Sequence, residues 1–165
     1  MSQPGNLVEL YRTFPQQFRS LVLSTVTAKG APHASYAPFV MDEQKAIYVF
    51  VSGLSAHTAN LRATERASVL LIEDESKTEQ IFARRRLSYD CAAQVLERND
   101  RDWDAIAAQF AERFGGIIDV LKGLNDFDIF RLMPQSGQFV IGFGAAYRIS
   151  GTQLDILEQS MGSKS

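Results

Sequence analysis

Apolar positions repeat first with the period of a helix and then with that of strands. Leu7, Leu10, Tyr11, Phe14 and Phe18 follow the i, i+3, i+4, i+7 spacing of an amphipathic helix over residues 6–18. Pro15 ends or kinks that helix. From Leu21 the period shortens to two, with Leu21, Leu23, Thr25 and Thr27 alternating against Val22, Ser24 and Val26, which predicts a strand. Lys29-Gly30 marks a tight hairpin turn. A second strand follows over residues 33–41, with Pro38 pointing to an edge or a bulge. Residues 46–52 and 67–73 read as further strands, separated by a helix over 55–64 with Ser55 as its N-cap. Residues 75–83 are predicted as a short helix and 87–97 as a long strand. Residues 99–114 open on a capping signature and place Trp103, Ile106, Ala107, Phe110 and Phe114 on one helical face. Gly115-Gly116 breaks that helix, and 117–124 form another short one. Two strands, 127–132 and 138–141, are joined by the turn residues Pro134-Gln135-Ser136-Gly137, and 152–159 are predicted as a final short helix.

These elements amount to six or seven strands, mostly linked by short turns, which forces antiparallel pairing. An α+β architecture follows, with a six-stranded barrel flanked by helices that leaves few open edges. The length of 165 residues suits one domain over 1–165, with a helical segment at 1–19 and a short tail at 152–165. Composition adds exclusions. A net charge of −2 lacks the broad basic field of a nucleic-acid binder. One cysteine allows no internal disulfide, and with two histidines it cannot build a structural zinc site. No apolar run approaches the ~18 residues of a membrane span. Residues 1–11 lack a secretory pattern, so a soluble cytoplasmic protein is expected, without membrane or nucleic-acid partners.

Candidate chemistry is sparse. Gly142-Phe143-Gly144-Ala145-Ala146-Tyr147 starts like a dinucleotide fingerprint but lacks its third glycine and a surrounding βαβ unit, so it reads as a sharp bend after a strand. Arg84-Arg85-Arg86 is the densest positive charge. It reads either as a solvated face paired with Glu73-Asp74-Glu75 or as an anion clamp, because guanidinium forks match carboxylate and phosphate. His57 lies near the start of a helix after a β run, where N–H groups and hydroxyls suit an anion; simple capping is the equal alternative. His33 reads as an exposed strand-end residue, Cys91 as a buried apolar filler and Asp126 as the start of a turn.

Four blocks together carry a family resemblance: Ala34-Ser35-Tyr36-Ala37-Pro38-Phe39-Val40, Ile72-Glu73-Asp74-Glu75, the run from Ile81 to Asp90 (IFARRRLSYD), and the run from Phe139 to Tyr147 (FVIGFGAAY). In order and spacing they resemble the haem-utilisation (HugZ-type) branch of the pyridoxamine 5′-phosphate oxidase-like, FMN-binding split-barrel family, over residues 20–154. The resemblance implies a split-barrel homodimer with cofactor sites at the subunit interface. It implies haem as the ligand and haem oxygenase-like degradation as the activity. The alternatives within the family are an FMN-dependent oxidoreductase and a non-catalytic cofactor-binding dimer. Arg86 is then expected near the haem, Asp126 as support for an axial histidine, and His57 as a pocket residue and candidate iron ligand. In the flavin reading Ser52, His57, Thr58 and Asn60 meet the phosphate, with Arg84 assisting. Two departures from the family pattern stand out: residues 148–165 contain no histidine, and Ala59 occupies a position where relatives carry Lys or Arg.

Overall fold

A computed structural model describes residues 5–160. Helix α1 (Gly5–Thr13) runs into a single 3-10 turn, Phe14–Gln17, where Pro15 stops the α geometry as expected. Strands β1 (Ser20–Val26) and β2 (Pro32–Met41) form the predicted hairpin, with Gly30 at φ +84° in its loop. β3 (Ile47–Ser52), α2 (Ala56–Thr64), β4 (Arg66–Ile72) and β5 (Arg86–Leu96) follow. α3 (Trp103–Phe114) and α4 (Ile117–Lys122) precede β6 (Phe127–Gly142), β7 (Ala145–Ser150) and β8 (Ile156–Gln159).

The strands pair antiparallel in the order β3-β2-β1-β4-β5-β6-β7-β8. An additional β3–β6 pairing closes the first six into a barrel, the split-barrel fold, and β7 and β8 extend it as a flap. β3 explains why closure works. Its Ile47, Val49 and Val51 face the barrel interior, and Tyr48 and Phe50 face outward beneath α3 and α4. A strand covered on both faces reads as one apolar run. Phe50 meets Trp103, Phe110 and Phe127 at ring-centroid distances of 6.3, 5.8 and 5.8 Å. Burying such a ring contributes about 1.5–3 kcal/mol. Arg113 of α3 ties this second layer down, donating to Phe18 O and Phe39 O and lying over the Phe39 ring at 5.1 Å.

Five expectations are corrected. Residues 127–142 form one strand, because a register shift between the Ser136–Asp90 and Pro134–Cys91 pairs leaves Gln135 unmatched, and such a bulge accommodates the proline. Gly137 continues that strand for a different reason: a Cβ there would lie 2.5 Å from Ser88 O. Residues 152–159 form no helix, because the open edge of β7 takes up residues 156–159 as β8. The segment 75–83 contains two separate 3-10 turns, Glu75–Lys77 and Ile81–Ala83, in place of one helix. Ser55 occupies the N-cap position of α2 but makes no side-chain cap, and α3 begins at Trp103 after an uncapped Asp102. The Gly142–Ala145 segment is a hairpin turn with Gly144 at φ +64°, the sharp bend expected after a strand. Among the described residues no helix is long and apolar enough to cross a membrane. The tail predicted at 152–165 lies partly outside them, at 161–165.

Candidate functional site

α2 lies at the barrel end where β3 finishes and β4 begins, with Leu61 buried among the barrel core residues. The entry to this helix is set by Gly53. Its N–H donates to Asp126 O, and a Cβ at Gly53 would sit 2.9 Å from that oxygen. This close approach places Asp126, exposed in the turn before β6, beside the segment that leads into α2. Ser52 Oγ accepts the Leu54 N–H at 3.1 Å and shapes the same corner.

Within α2 the polar side chains divide. Thr58 is buried and donates its hydroxyl to Ser52 O. Asn60 is buried and donates to Thr25 Oγ1 at 3.0 Å. Both donors are engaged inside the fold. His57 is half-buried, and its Nδ1 lies 2.9 Å from Ser35 Oγ on β2. The Ser35 hydroxyl donates to Leu23 O at 3.2 Å, so its oxygen accepts the His57 Nδ1–H. That tautomer leaves the Nε2 lone pair without a partner among the described residues. Burial, reinforced by the positive charge of nearby His33, lowers the His57 pKa below 6.5. At neutral pH the imidazole is therefore an uncharged donor. His33 is half-buried beside it, in place of the exposed strand end expected.

The arginine triplet separates as β5 begins. Arg84 is held by the acidic run, donating Nε to Glu73 O and lying 3.4 Å from Glu75 Oε1. Arg86 opens the strand, pairs with Ile72 and Val140, and donates Nη1 to Arg84 O at 2.9 Å. Alternation along β5 buries Leu87 and Tyr89 and puts Arg86 with Ser88 on the outer sheet face. Arg86 and His57 are not brought together within one chain. β4 runs from Arg66, just after α2, to Ile72 beside Arg86, so the two residues sit toward opposite ends of the barrel. Cys91 is buried, and burial pushes its thiol up to about 12, which makes it inert filler as read. Among the described residues no group of three His, Cys, Asp or Glu side chains is arranged to hold a metal ion.

Comparison with known proteins places this geometry. The family model described as pyridoxamine 5′-phosphate oxidase matches residues 7–141. Over 150 residues the chain is 45% identical to the haem oxygenase HutZ of Vibrio cholerae, covering 91% of this chain and 85% of that protein. The chain belongs to the haem-utilisation branch of the pyridoxamine 5′-phosphate oxidase-like family. Solved split barrels of this branch superpose on it. The HutZ structure, described as a haem storage protein of V. cholerae, gives a TM-score of 0.76 at 40% identity, covering 82% of this chain and 96% of that one. Campylobacter jejuni ChuZ gives 0.84 at 31% identity and covers 97% of this chain, which spans 64% of ChuZ.

Within this haem-utilisation split barrel, two residues were invisible to sequence reasoning. Ser35 reaches His57 only because α2 packs against β1, the strand to which β2 is paired. Arg85 was grouped with its neighbours, because only the start of β5 decides which arginine lies on the strand.

Proposed function

We propose that this chain binds haem between two copies of itself and acts on it as a haem oxygenase-like oxidoreductase. The observation that carries the reading is His57: a half-buried, neutral imidazole, oriented through Nδ1 by Ser35 and with Nε2 free. A neutral imidazole whose other nitrogen is tied down is the usual form of a histidine metal ligand. Haem, when bound, supplies the redox-active iron and is itself the molecule that a haem oxygenase oxidises. His57 is the proposed iron ligand, and Ser35 holds its ring in register. Asp126 presents an exposed carboxylate beside the entry to α2, but with both His57 nitrogens committed it has no imidazole there to orient. Arg86 offers a guanidinium on the outer sheet face for a negatively charged edge of the ligand.

That outer face also supports the second copy. Tyr36, Val22, Leu70 and Ser88 form one row across β2, β1, β4 and β5, and Tyr36 is 67% exposed. Arg86 lies on the same face, so association there would bring the two copies' arginines toward a shared interface. The similarity to HutZ, named as a haem oxygenase and as a haem storage protein, supports haem over FMN.

The test is an absorption spectrum of the purified protein followed by titration with haemin and, separately, with FMN. A saturable Soret band that shifts in His57→Ala is the expected result. Tight FMN binding with no specific haem complex overturns the reading. A stable haem complex that does not turn over with a reductant and O₂ leaves the binding and removes the oxygenase activity.

A further inference from the structure

Arg85 is the unspent member of the arginine triplet. Arg84 is held by Glu73 and Glu75, and Arg86 bonds back to Arg84 O. Arg85 makes no side-chain hydrogen bond or ion pair among the described residues, and its Nε–H is buried without an acceptor. Buried polar groups in folded proteins are almost always paired, and an unpaired one costs about 1–3 kcal/mol, more when charged. An orphaned guanidinium N–H therefore points to an acceptor supplied from outside the chain.

The same side chain lines a cavity of about 360 Å³ between the Glu73–Arg85 loop and the β6–β7 hairpin. The volume lies at the lower end for small-molecule sites. Lys77 and Thr78 line it too, and Phe143 forms part of its wall while remaining 72% exposed. Phe82, 84% exposed, sits on the neighbouring 3-10 turn, which packs against β6. An exposed aromatic ring in the wall beside an unpaired guanidinium suits a ligand with an apolar body and a planar oxyanion. Glu73 and Glu79 also line the cavity. Their presence disfavours a doubly charged phosphate and favours a single carboxylate.

We propose that Arg85 is a carboxylate-binding residue: the cavity receives the carboxylate of an amphipathic ligand on the Arg85 guanidinium, with Phe143 against its apolar body. Two sources share this chemistry, a haem propionate and a free aromatic acid. The first rests on the proposed function, and the second does not.

Full-length wild type, Arg85→Ala and Arg85→Lys are titrated with haemin, with haemin dimethyl ester, whose propionates are masked, and with benzoate, followed by absorption and by NMR. Inorganic phosphate serves as the anion control. For a propionate, haemin affinity falls about tenfold in Arg85→Ala, the loss of one good charged contact. Affinity for the dimethyl ester stays at the wild-type value. Arg85→Lys recovers only part of the loss, because it keeps the charge and loses the fork. For a free acid, benzoate shifts the Phe143 resonances of wild type and not of Arg85→Ala, while haemin binding is the same in both. Wild-type haemin and benzoate binding in both variants, or phosphate binding as tightly as benzoate, overturns the proposal. If wild type takes up no haemin, the proposed function fails and the benzoate arm alone decides Arg85. Phe143→Ala, at an exposed hairpin tip, supplies the same readouts if the arginine variants do not fold, with weaker benzoate binding expected and unchanged binding counting against the site.

Discussion

The hydroxyls of Tyr11 and Tyr89 meet at 2.5 Å inside the barrel, joining α1 to β5 across 78 positions of sequence. Tyr11 also donates to Leu154 O at 2.8 Å, so its oxygen accepts the Tyr89 hydroxyl. Burial pushes the Tyr11 phenol up to about 12 and Tyr89 higher still, so both stay protonated and the relay stays intact at any working pH. The order of donors makes the two deletions unequal. Tyr11→Phe strands both Leu154 O and the Tyr89 hydroxyl and is expected to cost about 1–3 kcal/mol. Tyr89→Phe leaves the Tyr11–Leu154 bond in place and is expected to cost about 0.5–1.5 kcal/mol. Urea denaturation of the two variants checks the order, and a larger loss for Tyr89→Phe would reverse the assigned donors.

Two glycines of β6 separate space from conformation. At Gly137 a methyl group would lie 2.5 Å from Ser88 O and 2.7 Å from Tyr89 Cδ1, and the first is backbone that cannot step aside. At Gly142 nothing among the described residues lies within 4 Å of the same added atom. Gly137→Ala should destabilise by about 2 kcal/mol or more, while Gly142→Ala stays within about 0.5 kcal/mol of wild type. Thermal melts of the pair decide whether Gly137 is required for the close β5–β6 approach.

Much of the barrel was legible because its strands alternate or run apolar in short bursts. Leu21, Leu23 and Thr25 announced β1, and Lys29-Gly30 announced its turn. β6 was divided in two because Pro134-Gln135-Ser136-Gly137 has the residues of a turn, and a register shift against β5 absorbed them. β8 was missed because Leu154 and Leu157 stand three apart, as on a helix, while the free edge of β7 recruited the backbone instead. The site followed the same division. His57 and the arginine triplet stood out by residue type, but the Ser35 hydroxyl that orients His57 lies 22 positions away and becomes a neighbour only through packing. Thr58 and Asn60 looked like anion ligands at a helix start, and the fold turned both inward, to Ser52 O and Thr25.

The lowered pKa of His57 makes a signed prediction. In the unfolded chain the imidazole takes up its proton near 6.5; in the folded chain burial and His33 delay uptake to lower pH. Between those two values the unfolded state binds more protons, so stability falls as pH drops through the window and is untouched above it. His57→Gln removes this contribution. Wild type should therefore lose more Tm than His57→Gln between about pH 7.5 and about pH 5.5. Equal losses in calorimetric scans would show that the imidazole is not held in its neutral form by the fold.

The last prediction concerns the outer face of the barrel. Register aligns Tyr36 with Val22, Val22 with Leu70 and Leu70 with Ser88, so a mainly apolar row crosses four strands on the side away from the core. Tyr36 is 67% and Val22 36% exposed in the single chain. A tyrosine standing out from a sheet face contributes nothing to the fold that solvent would not equally satisfy. In an interface it is among the residue types that most often carry binding energy. If two copies meet here, Tyr36 is covered and a charge in its place is buried without a partner, which costs several kcal/mol of association. Tyr36→Glu should therefore leave the melting of the chain within about 0.5 kcal/mol of wild type at high dilution, because the site is exposed there. It should also convert a dimer to a monomer in sedimentation velocity. Haemin affinity should fall with it, because the proposed pocket lies between two copies. A wild-type chain that sediments as a monomer, or a Tyr36→Glu chain that remains a dimer, would move the interface off this face. Loss of the dimer with haemin binding intact would place the haem within one chain, on the His57 side of the barrel, with Arg86 excluded from it.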